Sequence, residues 1–134
     1  TDGEFAQFVA PCEIEILESV QDAPCFNILH MCKNDLNLAR YLDYPANVLN
    51  WGVYEQNISL AEGRKLFGGD KVYMGGMDDR DGVFVEGTLE DIRIEAKRVI
   101  DSFGWRRFIL GADCTLPTDL PSQRMRAAVE GTAC

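Results

Sequence analysis

Basic residues are scarce in this sequence, and the signals of several common protein classes are missing from it. Lys and Arg number 13 against 22 Asp and Glu, which gives a formal net charge of −9. Such a surface does not attract phosphate backbones or acidic lipids, which argues against binding to nucleic acid or anionic membranes. No apolar stretch approaches the ~20 residues that span a bilayer, and no signal-peptide pattern opens the chain. Because the sequence begins at Thr1, we expect it to be trimmed from, or a fragment of, a longer chain.

Nucleotide-binding motifs and a disulfide framework are also missing. Neither a G-x-G-x-x-G fingerprint nor a P-loop follows any predicted strand, which excludes the usual nucleotide sites. The five cysteines are odd in number and lack the tight spacing of secreted domains. Since 134 residues, 46% of them hydrophobic, suffice for one domain with its own core, we predict a reducing compartment, the cytoplasm. Cys12 and Cys25 are expected to pack as small apolar residues, and Cys134 to have no role.

Strand and helix signals alternate along the chain. Apolar runs predict strands over residues 25–32, 48–53, 71–77 and 107–112. Helices are predicted over residues 4–20 (interrupted or restarted at Pro11), 36–42 (capped by Asn34–Asp35), 60–67 (capped by Ser59), 89–103 (capped by Thr88) and from Pro121 onward. This alternation indicates right-handed βαβ units and a parallel sheet in a single α/β domain over residues 1–134. Four such units are half of a TIM (β/α)8 barrel, which needs ~250 residues.

Potential metal ligands lie at the carboxyl ends of two predicted strands, where parallel α/β folds gather their functional groups. His30 and Cys32 end the first strand two residues apart, so their side chains point to the same side. Cys114 follows the fourth strand. One imidazole and two thiolates suit zinc with an open fourth position, which is typical of a catalytic site. We therefore predict these three residues as metal ligands; the alternative is that they only pack at strand ends.

The same edge supplies further candidates for substrate binding: Asn50, Trp51, Gly75, Gly76 and Asp113. Four of them have a simpler alternative. Asp113 either orients a ligand residue or is a cap or turn residue. The glycine pair allows close approach of a ligand or tight packing, and Trp51 is a wall of the cleft or part of the core. The acidic segment 77–82 lacks the spacing of a calcium loop, so a solvated loop is predicted there.

These residues belong to a longer pattern that resembles one family. The segments are Ile-Leu-His-Met-Cys-Lys-Asn (28–34), Tyr-Pro-Ala-Asn-Val-Leu-Asn-Trp (44–51), Met-Gly-Gly-Met-Asp (74–78), Gly-Thr-Leu-Glu-Asp-Ile (87–92) and Ile-Leu-Gly-Ala-Asp-Cys-Thr-Leu-Pro (109–117). In this order they resemble the C-terminal half of the uroporphyrinogen decarboxylase superfamily, which includes the zinc- and corrinoid-dependent methyltransferases (methylcobalamin:coenzyme M methyltransferase-like). The resemblance implies strands five to eight of a barrel, with zinc on His30, Cys32 and Cys114. Where the family commonly has glycine after the first Cys, this chain has Lys33.

The resemblance implies an activity and partners, and it leaves alternatives. It implies methyl transfer from a corrinoid such as methylcobalamin, carried by a corrinoid protein, to a small thiol. The alternatives are a metal-free lyase acting on a tetrapyrrole, whose key acid lies in the N-terminal half, and a metal-free scaffold or binding fragment. A half-barrel leaves two open sheet edges and an apolar interior, so we expect either self-association or a missing N-terminal half. No residue is assigned a catalytic role, and the sequence names neither the donor nor the acceptor.

Overall fold

A four-stranded parallel sheet is the centre of the fold. The computed structural model describes residues 1–23, 26–33, 35–56 and 58–133. The strands are Ile28–Met31 (β1), Val48–Trp51 (β2), Val72–Met77 (β3) and Phe108–Ala112 (β4). They lie in the order β1-β2-β3-β4, and every neighbouring pair is parallel. The predicted α/β class and parallel order are therefore confirmed.

Helices precede, separate and follow the strands. They are Asp2–Glu4 (α1), Ala10–Ser19 (α2), Val53–Gln56 (α3), Leu60–Phe67 (α4), Val83–Glu86 (α5), Leu89–Phe103 (α6) and Ser122–Gly131 (α7), with a 3-10 turn at Leu38–Tyr41. Ser59 and Thr88 form the predicted N-terminal caps of α4 and α6, each in a reciprocal capping box. The cap predicted at Asn34–Asp35 is replaced by Asn37, and Asn34 itself lies outside the described residues.

The N-terminal helix is interrupted about one turn before Pro11, the residue at which the break was predicted. A wide turn of the π type, Phe5–Val9, joins α1 to α2, and Pro11 lies in the first turn of α2. Proline has no N–H to donate, and its ring collides with the carbonyl of the residue four positions earlier. A widened turn before Pro11 accommodates both effects, since it moves that carbonyl away from the ring. Cys12, predicted to be packed, is exposed on α2, and Cys25 lies outside the described residues.

Large aromatic side chains fill the space between the sheet and its helices. Trp51 is fully buried, and its indole N–H donates to the carbonyl of Ile58. A Cβ at Gly63 of α4 would lie 2.2 Å from the Trp51 ring, so glycine is required where this helix crosses the indole. Tyr73 of β3 packs edge-on against Trp51. This layer fixes the helix-facing side of the sheet and leaves the other side to carry the site.

The sheet is strongly curved, so that its outer strands approach each other at their carboxyl ends. Asn50 of β2 donates from Nδ2 to the carbonyl of Met74 in β3 and also to that of Ala112 in β4. It thus reaches past its neighbouring strand. Gly75 and Gly76 of β3 have φ values of 141° and 97°, which side chains rarely tolerate. The distorted end of β3 is where the curvature brings β2 and β4 together.

Apolar side chains remain exposed at both outer ends of this layered structure. Phe26 and Ile28 lie at the β1 edge, with 64% and 48% of their surfaces exposed. In the last helix, α7, Ala127 and Ala128 are buried, whereas Met125 and Val129 are exposed. Val129 is 69% exposed because the described residues place nothing over that face of α7. In the described part of the chain, no helix is long and apolar enough to cross a membrane.

Candidate metal centre

The curvature of the sheet brings His30, Cys32 and Cys114 together. Their potential ligand atoms all lie within 4.8 Å of one another. Sγ of Cys114 is 3.5 Å from Sγ of Cys32 and 3.4 Å from Nε2 of His30. Tetrahedral ligands of zinc, at about 2.0–2.3 Å from the ion, are separated from each other by about 3.3–3.8 Å. Both distances from Cys114 fall in this range, so the three donors are placed to share a zinc ion.

Asn50 fixes the orientation of the His30 ring. Nδ1 of His30 lies 2.5 Å from Oδ1 of Asn50, while Nδ2 of Asn50 donates to two carbonyls. Those carbonyls need a donor, so they determine which end of the amide faces the ring. An amide oxygen only accepts, and Nδ1 therefore carries the imidazole proton. The lone pair of Nε2 is left pointing at the cysteines, as a metal ligand requires. Asn50, predicted to bind substrate, lies where it orients the ring of His30, a proposed metal ligand.

The two thiols interact directly. Cys32 and Cys114 are both half-buried. Hydrogen bonding to Cys114 raises the pKa of Cys32, and burial adds to the effect, while Lys33 opposes it. The negative charge of Glu55 also raises the pKa of this thiol. Without a cation Cys32 thus favours its protonated thiol, and a bound cation would reverse that preference.

Asp113 holds the backbone around the site. Its carboxylate accepts from the amide of Gly76 at 2.6 Å and from the amide of Tyr54 at 3.3 Å. It is 1% exposed, and this burial raises its pKa to about 7, although both hydrogen bonds oppose the shift. Asp113 thereby joins the ends of β3 and β4 to α3. Its described hydrogen-bond partners are backbone amides, so the role of orienting a ligand residue stays a prediction.

The remaining predicted contacts, Gly75, Gly76 and Trp51, are explained by packing. A Cβ at Gly75 would lie 3.0 Å from Oδ1 of Asp113, and one at Gly76 would lie 2.6 Å from Val99 of α6. The glycines therefore let the carboxylate and α6 approach the backbone. Trp51 lies in the core, on the helix-facing side of the sheet.

An acidic group beside the site was not predicted. Asp79, placed by its sequence in a solvated loop, is only 3% exposed. Arg80 donates to Glu55 of α3, and its Nε lies 3.6 Å from Oδ2 of Asp79. Glu55 lies in α3, four residues after the end of β2, so the rule that functional groups lie near strand ends would have found it. The burial of Asp79 has no counterpart in local sequence.

Comparisons with known proteins agree with the fold. A family model described as Uroporphyrinogen decarboxylase (URO-D) matches residues 1–133. Among solved structures, a methyltransferase from Methanosarcina mazei superimposes with a TM-score of 0.77 at 20% sequence identity. The alignment covers 98% of this chain and 36% of that protein, so the chain spans about a third of its length. No curated protein sequence matches. At this identity the structural likeness establishes the fold.

Proposed function

Because this chain belongs to the uroporphyrinogen decarboxylase family, we propose that it forms part of a zinc-dependent methyltransferase that moves a methyl group from a corrinoid to a thiol. The observation that carries the proposal is the cluster of His30, Cys32 and Cys114, with spacings that suit zinc. A three-ligand set leaves a fourth position for a substrate, which distinguishes catalytic from structural zinc. The structural similarity to a methyltransferase favours the same activity.

The residues of the chain have separate tasks in this proposal. Zinc, when bound, would lower the pKa of the acceptor thiol and keep it as the nucleophilic thiolate. His30, oriented by Asn50, would bind the ion through Nε2, together with Cys32 and Cys114, which follow the two edge strands of the sheet. Asp113 keeps the ends of β3 and β4 in register beneath them. The acceptor sulfur takes the methyl carbon, the bonding electrons stay on the corrinoid, and the thiol proton is released.

Two partners follow from the proposal. One is a protein that carries the corrinoid, with methylcobalamin as the chemical form of the donor. The other completes the barrel: either an N-terminal half or a second copy of this chain. The exposed apolar surface at both ends of the fold supports this second partner. Phe26 and Ile28 are exposed at one end, and Met125 and Val129 at the other. We place the reaction in a reducing compartment, the cytoplasm, where free thiolates persist.

Zinc content tests this proposal against a metal-free lyase or scaffold. Purified protein is expected to contain one zinc per chain, measured by atomic emission, and to release it to a strong chelator. Cys32→Ser should weaken zinc binding by more than the ~10–100-fold that loss of an outer partner costs. Cys12→Ser, which changes an exposed thiol on α2, is the matched control and should bind zinc as before. Full zinc retention in the Cys32 variant would refute the site and favour the metal-free alternatives.

A further inference from the structure

A negatively charged cavity of about 240 Å³ lies beside the candidate zinc site formed by His30, Cys32 and Cys114. Its walls include Glu55 from α3 and Asp78, Asp79 and Asp81 from the segment after β3, and Arg80 supplies a positive charge among them. A second cavity, which Arg80 and Asp79 also line, continues to Thr115, directly after Cys114. The acidic residues thus lie at the edge of the sheet that carries the proposed ligands. Their charges outnumber that of Arg80, so the cavity disfavours anions.

Asp113 and Thr115 connect these cavities to the proposed ligands. Asp113, directly before Cys114, lines the first cavity, and Thr115, directly after Cys114, lines the second. Arg80, which lines both cavities, donates to Glu55 of α3. A thiol bound at His30, Cys32 and Cys114 would therefore have both cavities next to it.

Asp79 is the unusual member of the lining. Its side chain is 3% exposed, and Oδ2 has no hydrogen-bond partner. Nε of Arg80 is 3.6 Å from that oxygen, and its single proton is already donated to Oε1 of Glu55 at 3.1 Å. A buried carboxylate oxygen without a donor is unfavourable, and native proteins seldom retain one. Oδ2 of Asp79 is therefore missing a hydrogen-bond donor, and a ligand could supply one.

We infer that the thiol substrate carries a protonated amine, which donates to Oδ2 of Asp79 and lies near the carboxylate of Glu55. This inference rests on the proposed function, because the sulfur of the same molecule is taken to bind at His30, Cys32 and Cys114. An ammonium group offers three N–H donors, which Oδ2 of Asp79 lacks, and a positive charge that suits a cavity with more acids than arginines. A sulfonate or carboxylate at the same place would meet several acids and only one arginine, which is already engaged.

The test compares thiols of different charge on cobalt(II)-substituted protein, where thiolate binding produces a charge-transfer absorption band. The probes are 2-aminoethanethiol, 2-mercaptoethanol and 2-sulfanylethanesulfonate, with affinities corrected for the acidity of each thiol. We expect the amine to bind at least tenfold more tightly than the sulfonate. Equal binding, or tighter binding of the sulfonate, would overturn the inference. Cobalt bound without a response to any thiol would also overturn it and leave the metal site intact, whereas failure to bind cobalt would refute the proposed function as well.

The variant Asp79→Asn tests whether Asp79 causes the preference for the amine over the sulfonate. The variant should lose at least tenfold of its selectivity for the amine, while its affinity for the sulfonate stays equal or rises. Because the change removes a poorly satisfied buried charge, the melting temperature should stay equal or increase, which separates a binding role from a structural one. Asp70→Asn is the control, since it removes the same charge from an exposed residue before the start of β3. Unchanged selectivity in the Asp79 variant, or an equal loss in the Asp70 variant, would show that Asp79 does not hold the amine.

Discussion

Replacing Asp113 by Asn should remove most of the pH dependence of stability between about pH 4 and pH 7. Burial raises the pKa of this carboxyl from 3.8 to about 7 in the folded protein, against the opposing hydrogen bonds from the Gly76 and Tyr54 amides. The folded state thus keeps a proton that the unfolded state releases near pH 4. The stabilisation is fully present below the unfolded pKa and is lost as pH rises through the folded pKa. Three pKa units at ~1.4 kcal/mol each give a loss of about 4 kcal/mol, as an upper limit.

Urea unfolding followed by far-UV circular dichroism at each pH measures this loss. The difference in unfolding free energy between wild type and Asp113→Asn isolates the residue from other titrating groups. Asn retains an acceptor for the Gly76 amide, but its Nδ2 cannot accept from Tyr54, so the variant should be less stable at pH 4 by about 1 kcal/mol. Its relative stability should then improve steadily toward pH 7. Asp119→Asn, which removes an exposed carboxyl, should show the same pH dependence of unfolding free energy as wild type. A pH-independent difference between Asp113→Asn and wild type would refute the argument.

Three further substitutions test other parts of the structure. Asn50→Ala removes the acceptor for Nδ1 of His30 and should weaken zinc binding ~10–100-fold in competition with a chromophoric chelator; unchanged affinity would mean that the ring is oriented otherwise. Lys33 has a φ of 119°, so Lys33→Gly should raise the unfolding free energy by about 1 kcal/mol, whereas an equal gain from Lys33→Ala would contradict backbone strain as the cause. Gly76→Ala should cost about 2 kcal/mol or more, because the added Cβ would lie 2.6 Å from a side chain of α6 at a strained φ. Gly69→Ala, with open space around it, should cost far less in the same melts.

The elements that sequence predicted well are those whose local and tertiary signals agree. Helix α6 begins after Thr88 and ends before Gly104, as predicted, because a capping box, an apolar stripe and a C-terminal glycine specify the same boundaries. Strand periodicity and the strand-end rule likewise placed His30 and Cys32 beside Cys114. Parallel strands, which the alternation of elements already required, put the three residues at one end of the sheet, and the curvature of the sheet then closes the distance between β1 and β4.

Features that depend on tertiary packing could not be predicted. The four-residue helices α3 and α5 are too short for any periodicity, and Val53, predicted to end β2, begins α3 instead. The burial of Asp79 in an acidic segment results from packing around α3, to which no local residue pattern points. The curvature that lets Asn50 reach Ala112 likewise requires the backbone of β3 to distort, which two adjacent glycines permit but do not specify.

The approach of Cys32 to Cys114 has a consequence for the entropy of the unfolded chain. The two cysteines are 82 residues apart in sequence and follow the outermost strands of the sheet. An ion shared between them would act as a reversible cross-link that closes a loop over more than half of the chain. If it persisted on unfolding, the chain-entropy relation used for disulfides gives a stabilisation of about 4–5 kcal/mol for a loop of that length. Occupancy of the site would then govern how cooperatively β1 and β4 unfold, so a chelator would loosen the whole sheet rather than one edge of it.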